Sequence, residues 1–420
     1  MEGYTASFVR LSKWVPGVLY EPDKENPKQR IGILVMHMDE DYLSFVSGPE
    51  LAKRGYTVLC ANPITKEGFV YGQPEKTKSV EIAFNYLKRR PKVEKVILLG
   101  HSSGGTLMSG YQAIAENGSD IFKEPDYIYP YPYDESFVPA DGIMFLDSNY
   151  GNAVMQLFSI DPAIDDENSG MLVNEQLDLF SEKNGFKPEG CTYPRDFVKK
   201  YQKEQSAKNC RLIDYALNRQ LLIEHGKGAY LDDEPLIIPG GAGKFINNKL
   251  YAQDISLMST TRGEYELLHG DGSRTREKIC SRRRPRNFQS MSPYYWEGTR
   301  AVSVRTFLST FAIRTEKDYG FDEDHVWGIE WNSTYNCVPG NVSHIKAPTL
   351  IVGMTSGWEF LASEAIYENS TSEDKTIAFV EGARHNFSPA KEMEKEPGEF
   401  GDTVKTLHDY VDEWLSSGRF

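Results

Sequence analysis

The segment Gly100-His101-Ser102-Ser103-Gly104 fits the pattern G-x-S-x-G. Val96-Ile97-Leu98-Leu99 precedes it, short and apolar like a buried strand, and Gly105 to Ala113 follows as the opening of a helix. A serine on a glycine-flanked corner between strand and helix suits one kind of chemistry. The tight turn lifts the hydroxyl above the sheet, small neighbours leave room for passing backbone, and the helix N-terminus aims amides at a developing oxyanion. That is nucleophilic attack on a carbonyl carbon. A serine hydroxyl is a weak nucleophile, so it needs a base and a third group to orient that base. The chain has eight histidines. His37 and His101 lie inside other motifs, His225, His269, His325 and His344 fall in or beside the middle of the chain, and His408 sits in a closing helix. His385 follows the apolar run Thr376 to Val380 in a loop.

Other candidate motifs carry less. Asp39-Glu40-Asp41 has no partner ligands at metal-binding spacing and reads as a solvated loop or helix cap. Gly240 to Phe245, GGAGKF, lacks both the Ser/Thr after Lys244 and the first glycine spacing of a phosphate loop. The basic cluster Arg282-Arg283-Arg284-Pro285-Arg286 reads as a solvated loop. No metal and no organic cofactor is expected.

The elements that must hold Ser102 alternate between strand and helix. Ile31–His37, Thr57–Pro63, Val96–Gly100 and Ile143–Leu146 are strand-like. Between them lie helical segments beginning near Ser47, a plausible N-cap, near Val80 and at Gly104. Such alternation predicts a doubly wound, mostly parallel sheet. After Gly151 the pattern turns helical: Asn174–Phe186, Cys191–Gly226 and Arg300–Arg314 read as helices around a polar, loop-rich stretch from 227 to 293. In the long helix Phe197, Tyr201, Leu212, Ala216 and Leu222 mark the buried stripe. The earlier grammar returns from Lys346, with strands at Ala347–Thr355 and Lys375–Gly382 and helices at Leu361–Ser370 and Gly401–Ser417. The expected organisation is therefore a core of residues 1–150 and 346–420, split by a mainly helical cap, residues 151–345. Pro125–Phe137, dense in Tyr and Pro, is expected to be a structured loop.

The chain resembles the α/β-hydrolase superfamily. The resemblance covers the core and rests on GHSSGG, on His37-Met38 after an early strand, and on GARHNF around His385. A narrower likeness, to α/β-hydrolases bearing a large cap, is carried by LAKRGYTVLCANP, SIDPAIDDEN and APTLIVGMT. The resemblance implies an α/β-hydrolase fold with Ser102 as nucleophile and His385, which arrives last in the chain, as base. It implies an oxyanion hole from the amides of Ser103 and of Met38 or Asp39. One position departs. The superfamily usually carries an aspartate after the penultimate strand, where this chain reads Gly353-Met354-Thr355-Ser356-Gly357-Trp358-Glu359. Glu359 is the nearest carboxylate and the first candidate to orient His385. Asp147, after Ile143–Leu146, is the second, and a degraded triad is the third.

The expected function is a serine hydrolase acting on an ester, lactone or related acyl bond of a medium-sized hydrophobic or aromatic small molecule. Cap aromatics Tyr294, Tyr295, Trp296, Trp327 and Trp331 suggest that substrate. Alternatives on the same fold are a C–C bond hydrolase, an acyltransferase, a lyase, or a ligand-binding protein without catalysis. A formal charge of −14 argues against nucleic-acid and anionic-membrane partners. Five scattered cysteines without a CxxC pair, no secretory h-region and no long apolar run fit a cytoplasmic enzyme. The sequons at Asn117, Asn332, Asn341, Asn369 and Asn386 then read as chance.

Overall fold

A computed structural model describes residues 3–64, 72–164, 172–241, 249–284 and 299–420. Fourteen strands are found among them, and ten form one sheet. In chain order these ten are β1 (Tyr4–Arg10), β2 (Pro16–Pro22), β3 (Ile31–Met36), β4 (Thr57–Ala61), β5 (Lys95–Ser102), β6 (Gly142–Ser148), β8 (Thr260–Leu268), β9 (Arg274–Cys280), β13 (Thr349–Met354) and β14 (Lys375–Val380). Their order across the sheet is β1-β2-β4-β3-β5-β6-β13-β14-β8-β9. From β4 to β8 every neighbouring pair is parallel. With the serine at the end of the fifth strand, this is the α/β-hydrolase fold.

Parallel strands covered on both faces must be apolar on both faces, and these are. Leu34, Met36, Val96 and Leu98 point to the side filled by α2 (Gln73–Lys88), α3 (Gly104–Asn117) and α6 (Phe360–Asn369). Ile33, Val35, Ile97 and Leu99 point to the other, against α1 (Ser47–Lys53) and the closing helix α7 (Thr403–Leu415). α4 (Asn152–Ser159) starts the inserted region. There α5 (Arg195–Glu224) packs Leu212, Ile213 and Ala216 on β7 (Pro235–Ile238) and β10 (Arg300–Ser303), a small core of its own. The remaining pair is β11 (Thr315–Phe321) with β12 (Val326–Ile329). Among the described residues no helix is long and apolar enough to cross a membrane.

Several sequence expectations are corrected. Residues 151–345 are not cap throughout. Two of their strands join the core sheet, with Leu267 of β8 in parallel register beside Phe379 of β14. A row of unpaired peptide groups on β14 is thereby covered. The polar alternation of β8 and β9, whose outer face meets solvent, made that stretch read as loop. Asn174–Phe186 forms no helix beyond the turn Glu182–Asn184, because Asn174 and Asp178 accept from the amides of Gln176 and Phe180 and compete with helical bonding. Arg300–Arg314 opens as a strand, not a helix. Ser303 then caps the helical part of the segment, Val304–Thr306 continuing as Phe307–Phe311, by accepting from Thr306 N at 3.1 Å. Ser47 does not cap α1; its hydroxyl meets Nε2 of buried His408 at 3.0 Å. In α5 the stripe ends on Ile223, with Leu222 half-buried. The Tyr-rich loop behaves as expected, with Tyr127 and Tyr131 buried against Phe122 and Tyr335.

Candidate active site

Ser102 ends β5 with φ 54°, the left-handed conformation of a tight nucleophile turn. The flanking glycines are there because backbone passes against them. A Cβ on Gly104 would run into the Met36 carbonyl oxygen, and one on Gly100 would lie 2.7 Å from Gly105 Cα. Ser103 stands at the N-cap of α3, and its Oγ meets His37 Nε2 at 2.9 Å. The amides of Asp39 and Glu40 donate to His37 Nδ1 at 3.1 and 2.8 Å. Nδ1 therefore carries no proton and Nε2–H donates to Ser103. Burial keeps this imidazole neutral by lowering its pKa to about 4. Of the two amides expected beside Ser103 in an oxyanion hole, that of Asp39 is thus occupied, which leaves Met38.

His385 and Asp147 meet. The imidazole Nδ1 donates to Asp147 Oδ2 at 2.6 Å, and Met354 N donates to Oδ1 at 3.1 Å. Asp147 is 1% exposed and, with φ 46°, turns its carboxylate from the end of β6 toward the loop after β13. Gly357 makes room there, for a Cβ on it would sit 2.9 Å from Oδ2. Glu359, the first candidate to orient His385, makes no hydrogen bond to it. It lies farther along that loop, where burial raises its pKa and Lys249 and Arg283 oppose the rise. The histidine's partner is Asp147, the second candidate, and the missing aspartate after β13 is explained because the carboxylate arrives from the neighbouring strand. Burial by itself would lower the His385 pKa. The hydrogen bond and charge of Asp147, aided by Glu359, more than offset this and lift it to about 9.

Sequence reasoning missed a further chain of groups. His101, the x of G-x-S, donates from Nε2 to the His385 carbonyl at 2.7 Å, and its Nδ1 accepts from the Tyr42 hydroxyl at 2.5 Å. Tyr42 is stacked between His37 and Phe45. His101 thus pins the backbone carrying the base. His101, Asp147 and His385 place ligand atoms within 4.8 Å of one another. Both His101 nitrogens are already engaged, so the cluster is a hydrogen-bonded assembly rather than a donor set for a metal.

Ser102 and His385 open on one cavity of about 1920 Å³. No direct hydrogen bond joins them. Catalytic contacts commonly tighten only when substrate is bound. The cavity wall is more charged than expected, including Lys76, Arg282, Arg283, Arg300, Arg384 and Glu359. Tyr294, Tyr295, Trp296, Arg286 and most of the GGAGKF segment fall outside the described residues. Trp331 stacks on Tyr150, and Trp327 Nε1 donates to the Asp318 carbonyl at 2.5 Å; neither lines the cavity. The basic cluster is not a free loop. Arg282 bonds Glu381 at 3.1 Å, and Arg283 is buried between the rings of Tyr251 and Trp358. In the acidic run, Asp39 pairs with Lys76 at 2.5 Å and Asp41 accepts from Asn62 at 2.8 Å, which fixes the loop.

No family model matches the chain, and no curated protein matches it. Solved structures follow its course at low identity. A hypothetical protein from Pseudomonas aeruginosa is 11% identical over 99% of this chain and 94% of its own, with a TM-score of 0.46. The siderophore hydrolase EstB from Aspergillus fumigatus is 9% identical over 99% and 98%, with a TM-score of 0.45. Est1E from Butyrivibrio proteoclasticus is 10% identical over 98% and 98%, with a TM-score of 0.40.

Proposed function

We propose that this protein is a serine hydrolase that cleaves an ester, lactone or related acyl bond of a small molecule through an acyl-enzyme. The observation that carries the reading is the 2.6 Å bond from His385 to buried Asp147 beside the left-handed turn bearing Ser102. Ser102 Oγ attacks the carbonyl carbon while neutral His385 Nε2 takes its proton. The oxyanion is held by the amides of Met38 and Ser103. His385 returns the proton to the leaving oxygen, which departs and leaves an acyl group on Ser102. A water molecule, deprotonated by the same imidazole, then releases the acid. Asp147 keeps Nδ1 protonated, so that Nε2 is the free base, and steadies the imidazolium. Addition, collapse of the tetrahedral intermediate and proton transfer make up both halves of the cycle, with the leaving oxygen expelled in the first and Ser102 Oγ in the second.

The orienting acid supplied by β6 removes the reason for preferring a non-catalytic ligand-binding protein. Carbon–carbon hydrolysis, acyl transfer and lyase chemistry would use the same groups, and no feature of the cavity favours them. The test is labelling with a fluorophosphonate together with hydrolysis of 4-nitrophenyl esters. Rapid labelling of Ser102, lost in Ser102→Ala along with ester turnover, is the expected result. An unlabelled, well-folded protein would remove the hydrolase reading.

A further inference from the structure

We propose that Arg300 anchors an oxyanionic group of the substrate, a carboxylate or a phosphate, so that the enzyme prefers esters carrying a negative charge away from the scissile bond. This rests on the hydrolase reading above and adds the substrate class. Arg300 opens β10, opposite Ile238 of β7, and so sits on a paired strand of the inserted region. Its Nε donates to Gln156 Oε1 at 2.8 Å, and Gln156 is itself fixed by donating to the Gly241 carbonyl at 2.7 Å. The guanidinium lies 4.2 Å from the centre of the Phe311 ring. One edge bonded and one face stacked fix the orientation of the group. Among the described residues its two Nη groups have no protein partner, and the residue lines the cavity that contains Ser102 and His385.

Of the other cavity cations, Arg284 is exposed to solvent rather than held in place, and the remaining four are already engaged. Lys76 pairs with Asp39, Arg282 with Glu381, and Arg384 with Glu392. Arg283 is buried, with its two Nη groups donating to the carbonyls of Leu257 and Trp358. Arg300 feels the charge of Asp39, but that carboxylate is engaged by Lys76, and no described carboxylate lies within ion-pair distance of Arg300. A half-buried cation without a close counter-ion is disfavoured, and its partial burial holds this guanidinium below its usual range, at about 10. A preorganised guanidinium presenting two N–H donors is the group best matched to a carboxylate or phosphate. Such a charge on the substrate supplies the missing counter-ion.

The test compares kcat/KM for 4-nitrophenyl hemiglutarate and for its neutral methyl ester, using the full chain. The wild type is expected to prefer the anion by about tenfold or more. Arg300→Gln should abolish that preference mainly through KM, and Arg300→Lys should restore part of it. An equal rate for both esters in the wild type, with Ser102 labelled normally, overturns the subsite while leaving the hydrolase intact. If Ser102 fails to label, the subsite is judged by calorimetry on the Ser102→Ala protein. Monomethyl glutarate or phenyl phosphate should bind at least about tenfold more tightly than dimethyl glutarate, and the tighter of the two anions names the source of charge. Equal binding of anion and diester overturns the proposal. The same titration of wild-type protein serves should Arg300→Gln fail to fold.

Discussion

Asp147 and Glu359 both place negative charge near His385, yet only Asp147 accepts a hydrogen bond from its Nδ1. An orienting acid works through that bond, because it selects the tautomer with a free Nε2. Asp147→Asn keeps the side-chain shape and tolerates the left-handed backbone but removes the charge. Its kcat should fall by about 10³- to 10⁴-fold, whereas Glu359→Gln should cost less than about tenfold. Steady-state kinetics on a nitrophenyl ester separate them, and the reverse ranking would return the role to Glu359. The pH profile is a second measure. His385 must be neutral to act as base, and its pKa is raised to about 9. The acid limb of kcat/KM should therefore lie near pH 9, with activity rising on the alkaline side of neutrality. In Asp147→Asn that limb should move to lower pH.

At the scale of elements, the β5–α3 turn depends on backbone passing close to backbone. A methyl at Gly104 meets the Met36 carbonyl of β3, which cannot move without disturbing two strand pairings. Gly104→Ala should cost about 1–3 kcal/mol in urea unfolding. A loss under about 0.5 kcal/mol would show that β3 yields. The β8–β9 hairpin covers the edge of β14. Replacing residues 260–280 by a short turn should expose that edge and give an aggregating protein, detectable by light scattering. A monomer of normal stability would show that the hairpin is dispensable. The core strands and the elbow could be read from sequence because apolar runs on both faces and a glycine-flanked serine are local signals. The hairpin could not, since half of it faces water.

At the scale of the molecule, three histidines set opposing pH windows for folding. Burial lowers the pKa values of His37 and His408 to about 4 from an ordinary 6.5. The unfolded chain binds more protons between those limits, so their contribution is complete above pH 6.5 and lost as pH falls through 4. His385 is raised to about 9, so its contribution is complete below 6.5 and lost as pH rises through 9. Stability should peak near pH 6.5 and decline on both sides. Unfolding midpoints from pH 4 to 9.5 measure this, and His408→Gln should flatten the acid side. A profile that kept climbing to pH 9 would contradict the shift assigned to His385.

The sequence by itself determined the central parallel strands, the elbow at Ser102 and the candidacy of His385. Periodicity, glycine at a close approach and chain order are properties of neighbours along the chain. Only the tertiary structure decided the acid and the character of the cavity. Asp147 reaches His385 because β6 lies beside β13 and a left-handed residue turns its carboxylate into the space left by Gly357. Arg300 faces the nucleophile's cavity because the inserted β7–β10 pair folds over it. Those relations join residues hundreds of positions apart, and distance through space between such residues leaves no periodic trace in a single chain.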